Sequence, residues 1–152
     1  RAAIPDLALR TTLLVGFPGE SEADFAELEQ FVREVRFERL GVFAYSEEEG
    51  TVAAKMENQI PMEVRTQRAE EIMQLQTEIM AQKQEELVGR TLEIICDEYD
   101  SENHLFICRS VYDAPEIDGE VYLSGDENIE IGDIATAQIK SSDIYDLYAE
   151  LV

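Results

Sequence analysis

The sequence predicts an α/β segment followed by a small all-β barrel of five strands. Three observations carry that expectation: two apolar runs flank an amphipathic helical stretch, a longer helical pattern stops at Gly89, and short strand-like runs punctuated by glycine and acidic residues follow it. Domains are therefore expected over 1–88 and 89–152. The 152 residues (17.2 kDa) are 45% hydrophobic and 30% charged, the balance of a folded protein with room for one or two small cores.

Leu9 to Phe17 is apolar around two threonines, and Leu40 to Tyr45 is almost wholly apolar. Such runs suit strands of a parallel sheet buried on both faces. Between them Ser21 stands where an N-cap would, with Asp24 at the capping-box position, and Phe25, Leu28, Phe31, Val32 and Val35 recur at helical spacing. Strand, helix and strand make one βαβ unit. A second helix is expected to start at Pro61 and run to about Val88, where Gly89 ends it. Its apolar stripe is Ile72, Leu75 and Ile79 with Met73 and Met80. At roughly 40 Å it is long enough to act as a stiff strut between two domains.

After Gly89 strands are expected at Thr91 to Cys96, Leu105 to Val111, Glu120 to Leu123, Ile134 to Ile139 and Tyr145 to Leu151, with Gly119, Gly125 and Gly132 between them. Closure into a barrel would remove the exposed edges that an open sheet keeps. The first segment differs, since two parallel strands and one crossover helix leave both sheet edges unpaired. Residues 1–88 thus read as the tail of a larger α/β sheet or barrel, and the isolated chain is expected to hide those edges by self-association.

Charge narrows the partners. Acidic side chains number 34 against 12 basic ones, giving −22 and a pI near 4.1. The bias is uneven: 18 acidic against 9 basic residues over 1–88, and 16 against 3 over 89–152, net −9 and −13. Such a surface argues against nucleic acid, whose phosphates it would repel, and favours either a solvated solubilising face or docking to a basic protein. No apolar run approaches a membrane span, and Arg1-Ala2-Ala3-Ile4-Pro5 lacks the apolar core of a secretory signal, so a cytoplasmic chain without a membrane partner is expected. Cys96 and Cys108 form no CxxC or Cys/His cluster, and His104 stands alone, so no metal is expected and the thiols are expected to be free. A hairpin near Ser101 and Glu102 would set the two thiols on adjacent strands.

Two loops are candidate sites. Gly16-Phe17-Pro18-Gly19-Glu20 leaves a strand and enters a helix, the edge where α/β proteins bind ligands. It lacks the GK[ST] of a phosphate loop, and Glu20 would repel phosphate. Tyr45-Ser46-Glu47-Glu48-Glu49-Gly50-Thr51 leaves the second strand at the same edge. Its three carboxylates read as a solvated loop or as an acid/base or metal group. No Ser/His/Asp set is available, and nothing supports hydrolysis.

Thr11-Thr12-Leu13-Leu14-Val15-Gly16-Phe17-Pro18-Gly19-Glu20-Ser21 and Val42-Phe43-Ala44-Tyr45-Ser46 with Glu48-Glu49-Gly50-Thr51 resemble the last strands of the radical S-adenosylmethionine (SAM) methylthiotransferases. Gly89-Arg90-Thr91, Asp113-Ala114-Pro115-Glu116-Ile117-Asp118-Gly119 and Tyr145-Asp146-Leu147 resemble the TRAM domain that closes those enzymes. Glu48-Glu49-Gly50-Thr51 is similar to the RimO branch, which modifies small-subunit ribosomal protein twelve, whereas tRNA-modifying members carry Arg-Pro-Gly-Thr there. Val52 departs from the proline often found at its position, a change expected to loosen the loop without altering the assignment.

The resemblance implies the end of a partial TIM-type barrel followed by an OB-like TRAM barrel. The full enzyme would add a methylthio group to the β-carbon of an aspartate, using SAM and two [4Fe-4S] clusters held by cysteines that this chain lacks. This chain alone is thus expected to bind no cluster and to be inactive, with no catalytic residue of its own. By the same resemblance Leu14, Val15, Gly16, Val42, Phe43 and Tyr45 would border SAM, with Phe17 to Glu20 capping it. Docking of the basic ribosomal protein would fall to Asp113, Glu116, Asp118 and Glu120. The alternatives are a tRNA methylthiotransferase part that binds RNA through the TRAM barrel, and an unrelated acidic interaction module.

Overall fold

The structure, a computed structural model, describes residues 3–4 and 7–152. Of the N-terminal stretch read above for a signal, Arg1, Ala2 and Pro5 lie outside the described residues. The chain forms two compact units, Arg1–Ile79 and Met80–Val152, and the division falls inside the long helix.

In the first unit β1 (Arg10–Val15) and β2 (Arg39–Ala44) pair in parallel, in step from Arg10 opposite Arg39 to Val15 opposite Ala44. Between them runs α1 (Glu22–Val35). Its N-terminus carries the expected capping box: the Asp24 amide donates to Ser21 Oγ, and the Ser21 amide donates to the Asp24 carboxylate at 2.8 Å. Such a cap contributes about 1 kcal/mol. Hydrogen bonds from Ser21 hold the Asp24 carboxyl below its usual pKa. Arg36 closes the helix in the left-handed region at φ 52°, its amide donating to the Val32 carbonyl.

The core of this unit joins Val15 and Leu40 from the strands, Phe25 and Val32 from α1, Phe37, and Ile72, Leu75 and Ile79 from α2 (Met62–Leu87). Only one face of the sheet takes part. Successive strand residues point to opposite faces, so Leu13, Val15, Leu40 and Val42 meet the helices while Leu14 and Phe43 stay 50% and 65% exposed. The burial on both faces anticipated for these runs is thus reached on one face among the described residues. Met73, placed on the apolar stripe of α2 by its spacing, is instead 39% exposed, whereas Met80 is buried. A short 3-10 turn (Ala53–Lys55) that the sequence did not announce precedes α2, entered where Thr51 Oγ accepts from the Ala54 amide.

The second unit is a closed five-stranded barrel: β3 (Thr91–Asp100), β4 (Leu105–Ser110), β5 (Val121–Ser124), β6 (Ile134–Ser142) and β7 (Leu147–Leu151), in the order β3-β4-β5-β7-β6. The neighbours are antiparallel except β5 and β7, whose parallel seam closes the wall. Leu92, Ile94, Cys96, Cys108, Val121, Leu123, Ala137, Ile139, Leu147 and Ala149 point inward and are almost fully buried. Gly89 turns at φ +83°, and its amide donates to the Ile139 carbonyl.

Several strand ends differ from expectation: β3 runs on to Asp100 and β6 to Ser142, and β5 is shifted by one residue. Two strands are shorter than expected, each because a carboxylate captures the backbone. Val111 lies beyond β4, since Asp113 accepts from the Ser110 hydroxyl and amide and folds the chain into a turn. Tyr145 lies before β7, since the Asp143 carboxylate accepts from the Tyr145 and Asp146 amides at 2.9 Å each. The anticipated hairpin is present, and it sets Cys96 directly opposite Cys108. The backbone groups of Cys96 bond away from β4, its amide to Asp133 O and its carbonyl from the Gly132 amide, so the two thiols form a pair without hydrogen bonds between their backbones. Both are free and buried, and burial pushes the Cys108 thiol up to about 12.

Candidate functional site

At the carboxyl edge of β1 and β2 the loop Gly16–Glu20 is built around two arginines of α2. Arg65 is buried and donates through Nε to the Ile60 carbonyl at 2.6 Å, through Nη1 to the Tyr45 carbonyl at 3.1 Å and through Nη2 to Gln59 at 3.2 Å. Its guanidinium lies 4.9 Å from the centre of the Tyr45 ring, and Phe17 meets that ring edge-on at 5.3 Å. Its stem fills the space beside Gly16: a Cβ there would lie 2.5 Å from Arg65 Cγ. With φ +73° as well, position 16 admits only glycine.

Arg68, also buried, donates to Glu20 Oε1 at 2.5 Å and to Glu22, and lies 5.2 Å from the centre of the Phe25 ring. Glu20 in turn accepts the Gly16 amide on both carboxylate oxygens at 3.0 Å. Burial opposes the charge of Arg68, but the hydrogen bonds to Glu22 and Glu20 outweigh it and raise its pKa. The loop is therefore clamped from both ends.

Of the residues expected to border SAM, Leu14 and Phe43 are registered side by side on the open sheet face, and Gly41 leaves open space beside them. Phe17 is 39% exposed at the rim of the loop. Val15 and Val42 point the other way, into the helix-facing core, and Tyr45 is buried beneath Phe17 and Arg65. Glu20 faces inward to Gly16 and Arg68, so its carboxylate shapes the loop and is not free to act as an acid or base. Glu47, Glu48 and Glu49 are exposed and do not converge: among the described residues no group of three or more His, Cys, Asp or Glu side chains is arranged to hold a metal.

Sequence reasoning alone misses Arg65 and Arg68. Their signal was the spacing: 65, 68, 72, 75, 76 and 79 form one stripe of a helix, so two arginines continue an apolar face.

In the barrel unit the four expected docking carboxylates lie along residues 113–120. Asp113 caps Ser110, Asp118 accepts the Ala114 amide at 2.6 Å, and Glu120 accepts the Tyr122 hydroxyl at 2.6 Å. Glu116 is exposed, at φ 63°. Asp113 and Asp118 thus shape their own loop, and Glu120 is bound to β5. His104 is a turn residue at φ 57°, bonded to Tyr99 and Asp126. Of the three cations of residues 89–152, Arg109 pairs with Asp97 at 2.9 Å and Lys140 with Glu150 at 2.9 Å. The negative field of the barrel is little offset.

Residues 88–152 match the TRAM domain family. Over its full length the chain is 45% identical to a ribosomal protein uS12 methylthiotransferase RimO of Desulfitobacterium hafniense and 46% identical to those of Phocaeicola vulgatus and Salmonella paratyphi A. The chain is homologous to RimO and carries a TRAM domain. It spans about a third of the length of these curated relatives, covering 34%, 35% and 34% of them. The closed barrel of the second unit is the TRAM barrel, and no helix among the described residues is long and apolar enough to cross a membrane.

Proposed function

We propose that the chain is the part of a radical SAM methylthiotransferase that borders the SAM pocket and docks a basic ribosomal protein, uS12, through an acidic TRAM barrel. The observation that carries this reading is the charge of that barrel: 16 acidic residues against 3 basic ones, with Arg109 and Lys140 already paired to carboxylates. A field of that sign attracts lysine and arginine and repels a phosphate backbone. It favours the protein-modifying reading over a tRNA-binding one.

On the first unit, Leu14 and Phe43 offer an apolar face and Phe17 a rim against which a nucleoside and its thioether chain would pack. The clamp of Arg65, Arg68 and Glu20 would hold that rim in one conformation. SAM, when bound in the whole enzyme, supplies both the radical and the methyl group. The residues present do not fit the iron-sulfur clusters, because the two cysteines are buried opposite each other inside the barrel. The chain alone is therefore inactive and cluster-free in this reading. Incubation with iron and sulfide under reducing conditions is expected to give no visible charge-transfer absorption, and a stoichiometric cluster spectrum would refute it.

The decisive experiment is capture on the immobilised chain at two salt concentrations. Purified uS12 is expected to be retained at low salt and released as salt rises, with tRNA unretained at both. Retention of tRNA at physiological ionic strength would overturn the reading.

A further inference from the structure

The four loop carboxylates leave open where on the barrel a cationic segment would sit, and the outer face of the parallel seam offers a better seat. Along β5 and β7 the inward positions Val121, Leu123, Leu147 and Ala149 are buried, and alternation turns Tyr122 and Tyr148 outward. These two are direct partners across the seam, with ring centres 5.5 Å apart and planes inclined by 31°. Tyr148 is 41% exposed. The Tyr122 hydroxyl donates to Glu120, which raises the tyrosine pKa and leaves electron density on the ring. Glu150 follows Tyr148 on the same outward face of β7, bound to Lys140. Ile107 of β4, opposite Tyr122, extends the apolar floor.

The barrel has the strand order of an OB-fold, in which the first three strands run consecutively and the third lies parallel to the fifth. OB barrels bind oligonucleotides on the face of strands two and three, and aromatic side chains serve as stacking platforms for bases. Here the aromatic platform begins on the third strand, but carboxylates flank it. A nucleobase would bring its phosphate into that field, whereas a guanidinium would bring a planar cation that stacks on tyrosine and pairs with glutamate. Charge complementarity and stacking therefore select the same chemical group.

We infer that the Tyr122–Tyr148 pair, flanked by Glu120 and Glu150, is the seat for arginine side chains of the cationic protein partner. The inference rests on the proposed docking role of the barrel and assigns its location and its preference for arginine over lysine. An ammonium gives a point charge without a stacking plane, so the preference follows from the ring pair and not from net charge.

The test uses the whole 152-residue chain and fluorescein-labelled decapeptides of alternating glycine with arginine or lysine, read by anisotropy at low and physiological salt. The arginine peptide is expected to bind more tightly than the lysine peptide. Tyr148→Leu keeps a strand-compatible apolar residue at an exposed position and removes the ring; it is expected to weaken arginine-peptide binding by about five- to tenfold and to erase the preference over lysine. Its thermal unfolding checks that the barrel is intact. A second variant, Glu116→Gln with Asp118→Asn, lowers the loop charge and is expected to weaken both peptides equally and slightly. Unchanged binding in Tyr148→Leu, with strong loss in the loop variant, would overturn the seat while leaving the docking role standing. Failure of the wild-type chain to bind either peptide at low salt would overturn both.

Discussion

Replacing Arg68 by alanine is expected to destabilise the first unit by about 2 to 4 kcal/mol, because it leaves a largely buried carboxylate without its cation. Arg68 reaches Glu20 and Glu22 with two different nitrogens while its guanidinium rests on Phe25. Its side chain is 5% exposed and that of Glu20 14% exposed, so the ion pair with Glu20 is poorly screened, whereas Glu22 is 87% exposed and adds less. Without Arg68, Glu20 keeps the Gly16 amide as its partner among the described residues, and its negative charge faces that of Glu22 across the vacated space. Urea unfolding followed by circular dichroism measures the loss, and exchange of the Gly16 amide reports the loop directly. Arg68→Met separates packing from pairing: the stem over Phe25 is retained but the hydrogen bonds go, so its loss should approach that of alanine. A midpoint unchanged in both variants would show that the clamp holds nothing.

The same residues show where the sequence was informative and where it was not. Ser21 and Asp24 announced α1 because a capping box is local chemistry, closed within four residues. The turn between β3 and β4 was readable for a similar reason, since Asp100 accepts from the Glu102 and Asn103 amides inside the hairpin. Alternation then placed the buried residues of the barrel without further information. The clamp was opaque because its partners are distant in sequence: Arg68 meets Glu20 across 48 positions, and each alone resembles an ordinary surface charge. The open sheet face follows the same logic, since a run of apolar residues records that both faces are apolar and not what covers them. Leu14 and Val15, both expected to border SAM, turn to opposite faces by strand alternation, a split that their adjacency in the sequence hides. The parallel seam between β5 and β7 is likewise a long-range pairing, and it carries the Tyr122–Tyr148 pair that no local motif announced.

That seam depends on one glycine. Gly119 lies where the chain enters β5 beside the start of β7, and a Cβ on it would sit 2.0 Å from the Tyr145 carbonyl oxygen and 2.7 Å from its carbon. These are backbone atoms, so no side-chain rotation relieves the overlap. The carbonyl is already fixed as acceptor of the Gln84 side-chain amide, and the neighbouring strands are tied by Leu147 N–H to the Glu120 carbonyl at 2.9 Å and Glu120 N–H to Asp146 at 2.8 Å. Burial lifts the Asp146 carboxyl above its usual pKa, against the hydrogen bond from the Glu120 amide, which lowers it. Gly119→Ala must therefore push β5 away from β7 and open the closed wall. A penalty of about 3 kcal/mol, at the upper end for overpacking, corresponds to a fall in barrel Tm of roughly 12 to 24 °C for a domain of this size. Gly41→Ala is the internal control, because its Cβ meets open space and its expected effect on the barrel is nil. Calorimetry of the two variants decides it: a Gly119→Ala barrel that melts within about 4 °C of the parent, roughly 1 kcal/mol, would mean that the seam yields without cost. If instead the Tm falls as expected, arginine-peptide binding should weaken with it, since Tyr122 and Tyr148 come from the two strands that Gly119 allows to meet.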